Sequence, residues 1–329
     1  HSDMMTSPNA HVRSAQAFWR AGAAGMLALV LMPCIARAAE PDYSGWQALL
    51  QRYLHVMQAK GQPYDTRFDY GQLYIDEDIW NRHRADGLTT LHTQLLSVSP
   101  ADMSPRERTA WAINAYNFLV VERMTLHLLV PGRKFTRRDS PRDVNTSEGT
   151  FFAAPVAKVD GHAYSLGGFE RRFVYGDTSA DPAVDGVLAR EAPGDPRLMC
   201  AIGKAGIGSG PLLPWPYRAD SLETQLDRAA RIALALPTYL RPDPAGGILV
   251  ASNRFFEERA SFGGPDLPGL IPFVLKHGPP ATRRLIQSKK LTRANMFFET
   301  IWKLNMFEPP RPKLPGEAAA DTAKAGRKN

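Results

Sequence analysis

From Trp111 to Val121 the chain reads Trp-Ala-Ile-Asn-Ala-Tyr-Asn-Phe-Leu-Val-Val. A helix through this run carries two asparagines and a tyrosine where an ordinary core helix carries leucines. Asn114 and Asn117 are three residues apart, which puts their amides on neighbouring turns of one helix face. Burying an amide without a partner costs roughly 1–3 kcal/mol, so the pattern predicts a fixed polar network inside an apolar core. The helix has a defined start. Ser104-Pro105-Arg106-Glu107 supplies a cap, a proline at the first position and an acid in the first turn. The helix is predicted to run to about His127 and to stop before Pro131-Gly132.

Around it the hydrophobic periodicity predicts a helix-rich chain. Tyr43, Trp46, Leu49, Leu50, Tyr53 and Leu54 are spaced for an amphipathic helix over 43–59, followed by a polar, irregular stretch to Tyr70. Residues 141–149 read as loop. Asp160-Gly161, between the apolar run 151–159 and His162-Ala-Tyr164, is a hairpin signal. Ser165 caps a short helix through Phe173, and 195–202 forms a compact apolar piece ahead of a Gly-rich loop at 203–211. Further helices are predicted over 221–236, from Asn253 to Ala260, over 268–276 and 281–288, and near 293–304, with a short strand at 247–251. No internal repeat is present. The expectation is one α+β, helix-rich single domain over 39–307 with a small hairpin or sheet. A disordered proline, alanine and charge tail follows over 308–329.

The N-terminal segment bears on compartment. Arg13 and Arg20, the apolar stretch Ala21–Met32 and the small residues at Ala36-Arg37-Ala38 read as a signal peptide over 1–38, with His1-Ser2-Asp3 as extra residues. Cleavage there removes Cys34 and leaves Cys200 as the one thiol, so no internal disulfide is expected of a periplasmic or secreted product. No later segment is long enough to span a membrane. The formal net charge of +7 is scattered in short clusters such as Arg137-Arg138 and Arg171-Arg172, a pattern that does not point to nucleic acid.

The motif Trp111-x-x-Asn114-x-Tyr116-Asn117 resembles the core phrase of the bacterial and plant family called domain of unknown function 547. Tyr164-Ser165-Leu166-Gly-Gly-Phe169-Glu170-Arg171 is similar to that family's Ser-Leu-x-x-Ile-Glu-His turn, and Asp195-Pro196-Arg197 to its Asp-Pro-Arg segment. Gly208-Ser209-Gly210-Pro211-Leu212 stands where the family has Ser-Cys-Pro-Pro-Leu. Ser221-Leu-x-x-Gln-Leu226 and Trp302-Lys-Leu304-Asn305 resemble its later motifs, so the likeness spans roughly 43–307. The departures bear on chemistry. Arg171 replaces the family's histidine, Ser209 its cysteine, and an earlier family cysteine falls near Lys204. A serine without a base is a poor nucleophile, and a guanidinium stays protonated and accepts no proton.

Three functional readings follow. The first is a small anionic or peptide-like ligand bound in a polar cleft between the Asn114 helix and the 203–212 loop. Its contacts would come from Asn114, Tyr116, Asn117, Glu170, Arg171, Arg197 and Ser209, the polar residues inside otherwise apolar motifs. The second is a thiol- or serine-type hydrolase or transferase using Cys200 or Ser209 with a distant histidine such as His162. The third is a non-catalytic structural or interaction protein. The histidines are single and far apart, so neither a metal site nor a cofactor is expected.

Overall fold

The computed structural model describes residues 40–133, 136–186, 190 and 193–309. The expected signal peptide and all but the first two residues of the expected tail lie outside them. Helix α1 (Ser44–Tyr53) turns Trp46, Leu50 and Tyr53 into the core. It ends sooner than its sequence predicts, because Leu54 adopts an extended conformation (φ −94°, ψ 119°) and opens strand β1 (Leu54–Met57). β1 pairs antiparallel with β2 (Asp65–Phe68), inside the stretch read as irregular. Three short helices follow: α2 (Tyr70–Asp76), α3 (Ile79–Arg82) and α4 (Asp86–Leu96).

Helix α5 (Pro105–Leu126) is the long central element. Ser104 Oγ accepts from Glu107 N while the Glu107 carboxylate accepts from Ser104 N, a reciprocal capping box. Every residue from Ala110 to Thr125 is buried, so α5 is sheathed by the domain on all sides rather than laid on its surface. The tiny hairpin β3 (Asn145–Thr146) and β4 (Gly149–Thr150) precedes the hairpin β5 (Pro155–Val159) and β6 (His162–Ser165). The predicted turn is present: Asp160 (φ 46°) and Gly161 (φ 82°) are both left-handed, the backbone that tight hairpins select.

Ser165 caps α6 (Leu166–Phe169) through Gly168 N, and the helix continues as a wider turn over Glu170–Val174. Gly167 and Gly168 lie directly against the backbone of 182–186; an added Cβ would stand 2.2 Å from Val184 O and 1.9 Å from Pro182 O, respectively. After α7 (Leu198–Ala201) and α8 (Leu222–Ala235), strands β7 (Leu240–Asp243) and β8 (Ile248–Ser252) pair antiparallel. Helices α9 (Asn253–Glu257), α10 (Leu270–His277) and α11 (Pro280–Gln287) lead to β9 (Arg293–Phe298), which lies parallel to β8. A helix was expected near 293–304. The backbone of Arg293–Phe298 instead completes a mixed three-stranded sheet, a pairing decided by a neighbour far along the chain. The architecture is a helix-rich α+β domain, with four small sheets among the described residues.

Residues 301–307 form a strap that ties the 203–211 loop to β2. Gly208 N donates to Ile301 O and Ile207 N to Lys303 O, both at 2.9 Å, while Asn305 N donates to Ala205 O at 2.6 Å and Phe307 N to Phe68 O at 2.9 Å. The loop's glycines are needed for this closeness rather than for positive φ, since Ala205 (φ 60°) is the left-handed residue there. A Cβ on Gly208 would meet Ile301 N at 2.7 Å, and one on Gly210 the carbonyls of Cys200 and Ile202 at 2.6 Å.

Two glycines separate crowding from conformation. Gly168→Ala must push apart two backbone segments and is expected to cost about 3 kcal/mol or more. Gly161→Ala meets open space and is expected to cost about 1 kcal/mol for its left-handed backbone. Urea denaturation midpoints of the two variants check the order.

Candidate functional site

The two motif asparagines act as backbone mimics. Asn114 Nδ2 donates to Tyr217 O and its Oδ1 accepts from Tyr217 N, both at 2.8 Å. Asn117 Nδ2 donates to Ala201 O at 3.0 Å and its Oδ1 accepts from Gly203 N at 2.8 Å. Each amide thus satisfies one donor and one acceptor of a segment that has no strand or helix partner of its own. The cleft expected between this helix and the 203–212 loop is closed by these bonds. What remains there is a space of about 10 Å³ beside Val120, Gly203, Ser209 and Asn305, room for one water.

Beside the asparagines lies a buried ionic cluster. Tyr116 Oη donates to Glu170 Oε2 at 3.2 Å, and Lys204 Nζ reaches the same oxygen at 2.9 Å and Gly186 O at 2.7 Å. Desolvation, and then Arg254, lower the pKa of the Lys204 ammonium, and Glu170 counters them. Burial and the Glu170 carboxylate hold the Tyr116 phenol well above its ordinary value. Arg190 Nε donates to Glu258 at 3.0 Å, and Arg254 Nη1 to Glu257 at 2.9 Å. Glu170, Arg171, Gly186, Arg190, Arg254, Glu257 and Glu258 enclose about 10 Å³, again one water's room. Arg254 Nε and Nη2 are buried there without a hydrogen-bond partner.

Among the described residues neither nucleophile candidate hydrogen-bonds a basic side chain. Ser209 Oγ accepts from Lys204 N at 2.8 Å and donates to Gly206 O at 2.7 Å, so the hydroxyl closes its own loop. Cys200 is fully buried and burial pushes its thiol far up. His162 is exposed on β6. Among the described residues no histidine hydrogen-bonds Ser209 Oγ or Cys200 Sγ. Arg197 is likewise committed: its guanidinium meets Asp195 at 2.6 Å, Glu223 at 2.7 Å and Asp227 at 2.7 Å. Of the expected contacts, Tyr116 and Glu170 come together, and Glu170 and Arg171 share the enclosed cavity. Asn114, Asn117 and Ser209 hold backbone. No group of three potential metal ligands occurs among the described residues.

An open polar cleft lies elsewhere, at the C-terminal end of α5. Thr89 and His92 of α4, Glu122, Arg123 and Leu126 of α5, His127, and Pro155 and Val156 of β5 line about 350 Å³. His92 Nδ1 stands 2.7 Å from Glu122 Oε2, which in the neutral ring fixes the proton on Nδ1 and leaves the Nε2 lone pair outward. Arg123 is 8% exposed, and its Nη2 donates to Thr150 O at 3.3 Å. Its Nε, also buried, has no partner. Desolvation, followed by Arg123 and Arg138, holds the His127 imidazole below its ordinary 6.5. The sequence carried a signal for this site that went unread: a Glu-Arg pair directly after the apolar run, with a histidine four residues on.

Residues 100–232 match the family described as "Protein of unknown function, DUF547". The motifs at 111–117, 164–171, 195–202, 208–212 and 221–226 lie inside this match, and Trp302-Lys-Leu304-Asn305 lies outside it. No curated protein and no solved structure matches the chain.

The ionic cluster yields a double-mutant test. Lys204→Met strands Glu170 in the interior and is expected to cost about 3–5 kcal/mol. The pair Lys204→Met with Glu170→Leu is expected to cost less than Lys204→Met alone, because no unpaired charge is left. Chemical denaturation of the single and double variants measures the coupling.

Proposed function

Since the chain is a member of the DUF547 family through residues 100–232, we propose that it binds a small anionic or peptide-like ligand in the cleft at the C-terminal end of α5. The observation that carries this reading is Arg123. The residue is 8% exposed, its Nε is buried without a partner, and it lines the cleft, so an anion bound there would offset the cost of burying that charge. His92 and His127 flank it and become donors when protonated. Leu126, Pro155 and Val156 give the cleft an apolar wall, as suits a ligand with a carbon skeleton. The order of basic, apolar and small residues over 13–38 supports export, to the periplasm or beyond. Among the described residues no helix is long and apolar enough to cross a membrane.

Calorimetric titration with succinate, inorganic phosphate and diglycine tests the reading. Saturable binding of at least one is expected. Arg123→Gln is expected to weaken it at least about tenfold, the scale of one charge-assisted hydrogen bond. Where that variant fails to fold, His127→Gln serves, since its ring is half-buried. Unchanged affinity in both variants would remove the cleft from consideration.

The depressed His127 also fixes a sign. Below pH 6.5 the unfolded chain takes up a proton that the folded ring resists, so the ligand-free protein loses stability as pH falls through 6.5 toward the folded value. Above pH 6.5 this residue contributes no slope. An anion in the cleft favours the protonated ring, so affinity is expected to rise over the same interval. Thermal melts between pH 5 and 8, with and without succinate, should show both trends, and His127→Gln should flatten them.

A further inference from the structure

The cleft on α5 holds more than the capture of an anion requires. His92 and Glu122 meet at 2.7 Å from two helices, α4 and α5, and line the same space as Arg123. The carboxylate is the more buried partner, with 11% of its side chain exposed against 29% for the histidine. A ring held by Glu122 through Nδ1–H presents Nε2 as an acceptor. The Phe118 ring, edge to face at 6.2 Å, packs against the same imidazole. An imidazole oriented by a carboxylate at its far nitrogen is equipped as a general base. The lining gives that base no side-chain nucleophile to activate. Its one hydroxyl, Thr89 Oγ1, donates to Ala85 O at 2.8 Å, and neither serine nor cysteine is among the lining residues. The proton that fits His92 Nε2 is therefore one from water.

Resting on the reading that an anion sits beside Arg123, we propose that the cleft generates that anion, by hydrolysing a small neutral carboxylic ester. His92 Nε2 takes a proton from water as the water oxygen bonds to the ester carbon. The carbonyl electron pair moves onto its oxygen, and the Arg123 guanidinium meets the charge that develops there. When that pair returns, the bond to the alkoxy oxygen breaks, and the proton on His92 passes to the leaving oxygen. An acid and an alcohol result, water is the only co-reactant, and the acid gives its proton to solvent. Glu122 stays ionised throughout; it holds the ring tautomer and stabilises the imidazolium that forms. Leu126, Pro155 and Val156 supply the wall for an apolar acyl chain. The carboxylate product is the anion that Arg123 then retains.

The probes are 4-nitrophenyl butyrate as substrate and butyrate as product, both with the full chain. Nitrophenolate release is expected to saturate with ester, and butyrate is expected to inhibit it over the concentrations at which calorimetry shows butyrate to bind. His92→Gln should lower kcat at least about a hundredfold, the low end of what a general base supplies, and should still bind butyrate. Glu122→Gln tests positioning: its amide can donate to Nδ1 and leave the ring proton outward on Nε2. Its kcat should fall by about a hundredfold or more with KM little changed. Arg123→Gln should lower kcat/KM by about a hundredfold, the scale of one lost oxyanion donor. The His92 side chain is partly exposed, so its variant should fold even where Arg123→Gln does not. Butyrate binding without saturable turnover overturns ester hydrolysis and leaves the anion site standing. Absence of both binding and turnover removes both. A rate that His92→Gln leaves unchanged also overturns the proposal. So does a burst of nitrophenolate equal to the protein concentration, which would mark an acylated side chain in place of attack by water.

Discussion

The asparagine amides of α5 organise the domain. A helix buried over sixteen consecutive positions has its own backbone satisfied, but the segments packed on it at 201–203 and 217 do not. Asn114 and Asn117 supply what a neighbouring strand would supply, one donor and one acceptor each, at 2.8–3.0 Å. Leaving those backbone groups unpaired would cost roughly 1–3 kcal/mol apiece. The Gly-rich loop, its strap and the ionic cluster all hang from segments that these two side chains hold.

At the positions where the family resemblance implies cysteine and histidine, the structure holds a lysine salt-bridged to Glu170, a serine bonded to its own loop and a half-buried arginine. A thiolate and imidazole exchange protons near neutral pH, whereas an ion pair with a phenol donating to it keeps its protons in place. The interior of the motif is accordingly rigid and closed. Among the described residues, spaces of about 390 and 350 Å³ lie outside it, over α2 and at the end of α5.

What the sequence disclosed follows from how local each determinant is. The α5 helix carried its own cap and apolar run, the β5–β6 turn its Asp160-Gly161, and α8 its stripe of Leu222, Leu226 and Ala233, so all three were legible. β1 and β9 were not. Each is a strand because of a partner, β2 or β8, whose pairing no window of neighbouring residues contains. The spacing of Asn114 and Asn117 predicts a buried polar network, and both amides are buried on backbone partners. Whether such residues face one another, backbone or a ligand depends on which segment fills the space beside them, and for Asn117 that segment is 84 residues away. The cleft was hidden for the same reason: His92 and Glu122 meet across 30 residues.

The strap at 301–307 sets a condition on biogenesis. The amides of Ile207 and Gly208, and the Phe68 and Ala205 carbonyls, find their partners in residues that leave the ribosome after every helix of the domain has been made. A nascent chain can form α5 and its hairpins early, yet the 203–211 loop stays open until this segment arrives. Closure of that loop is therefore a long-range step, joining residues 93 to 100 positions apart in the chain.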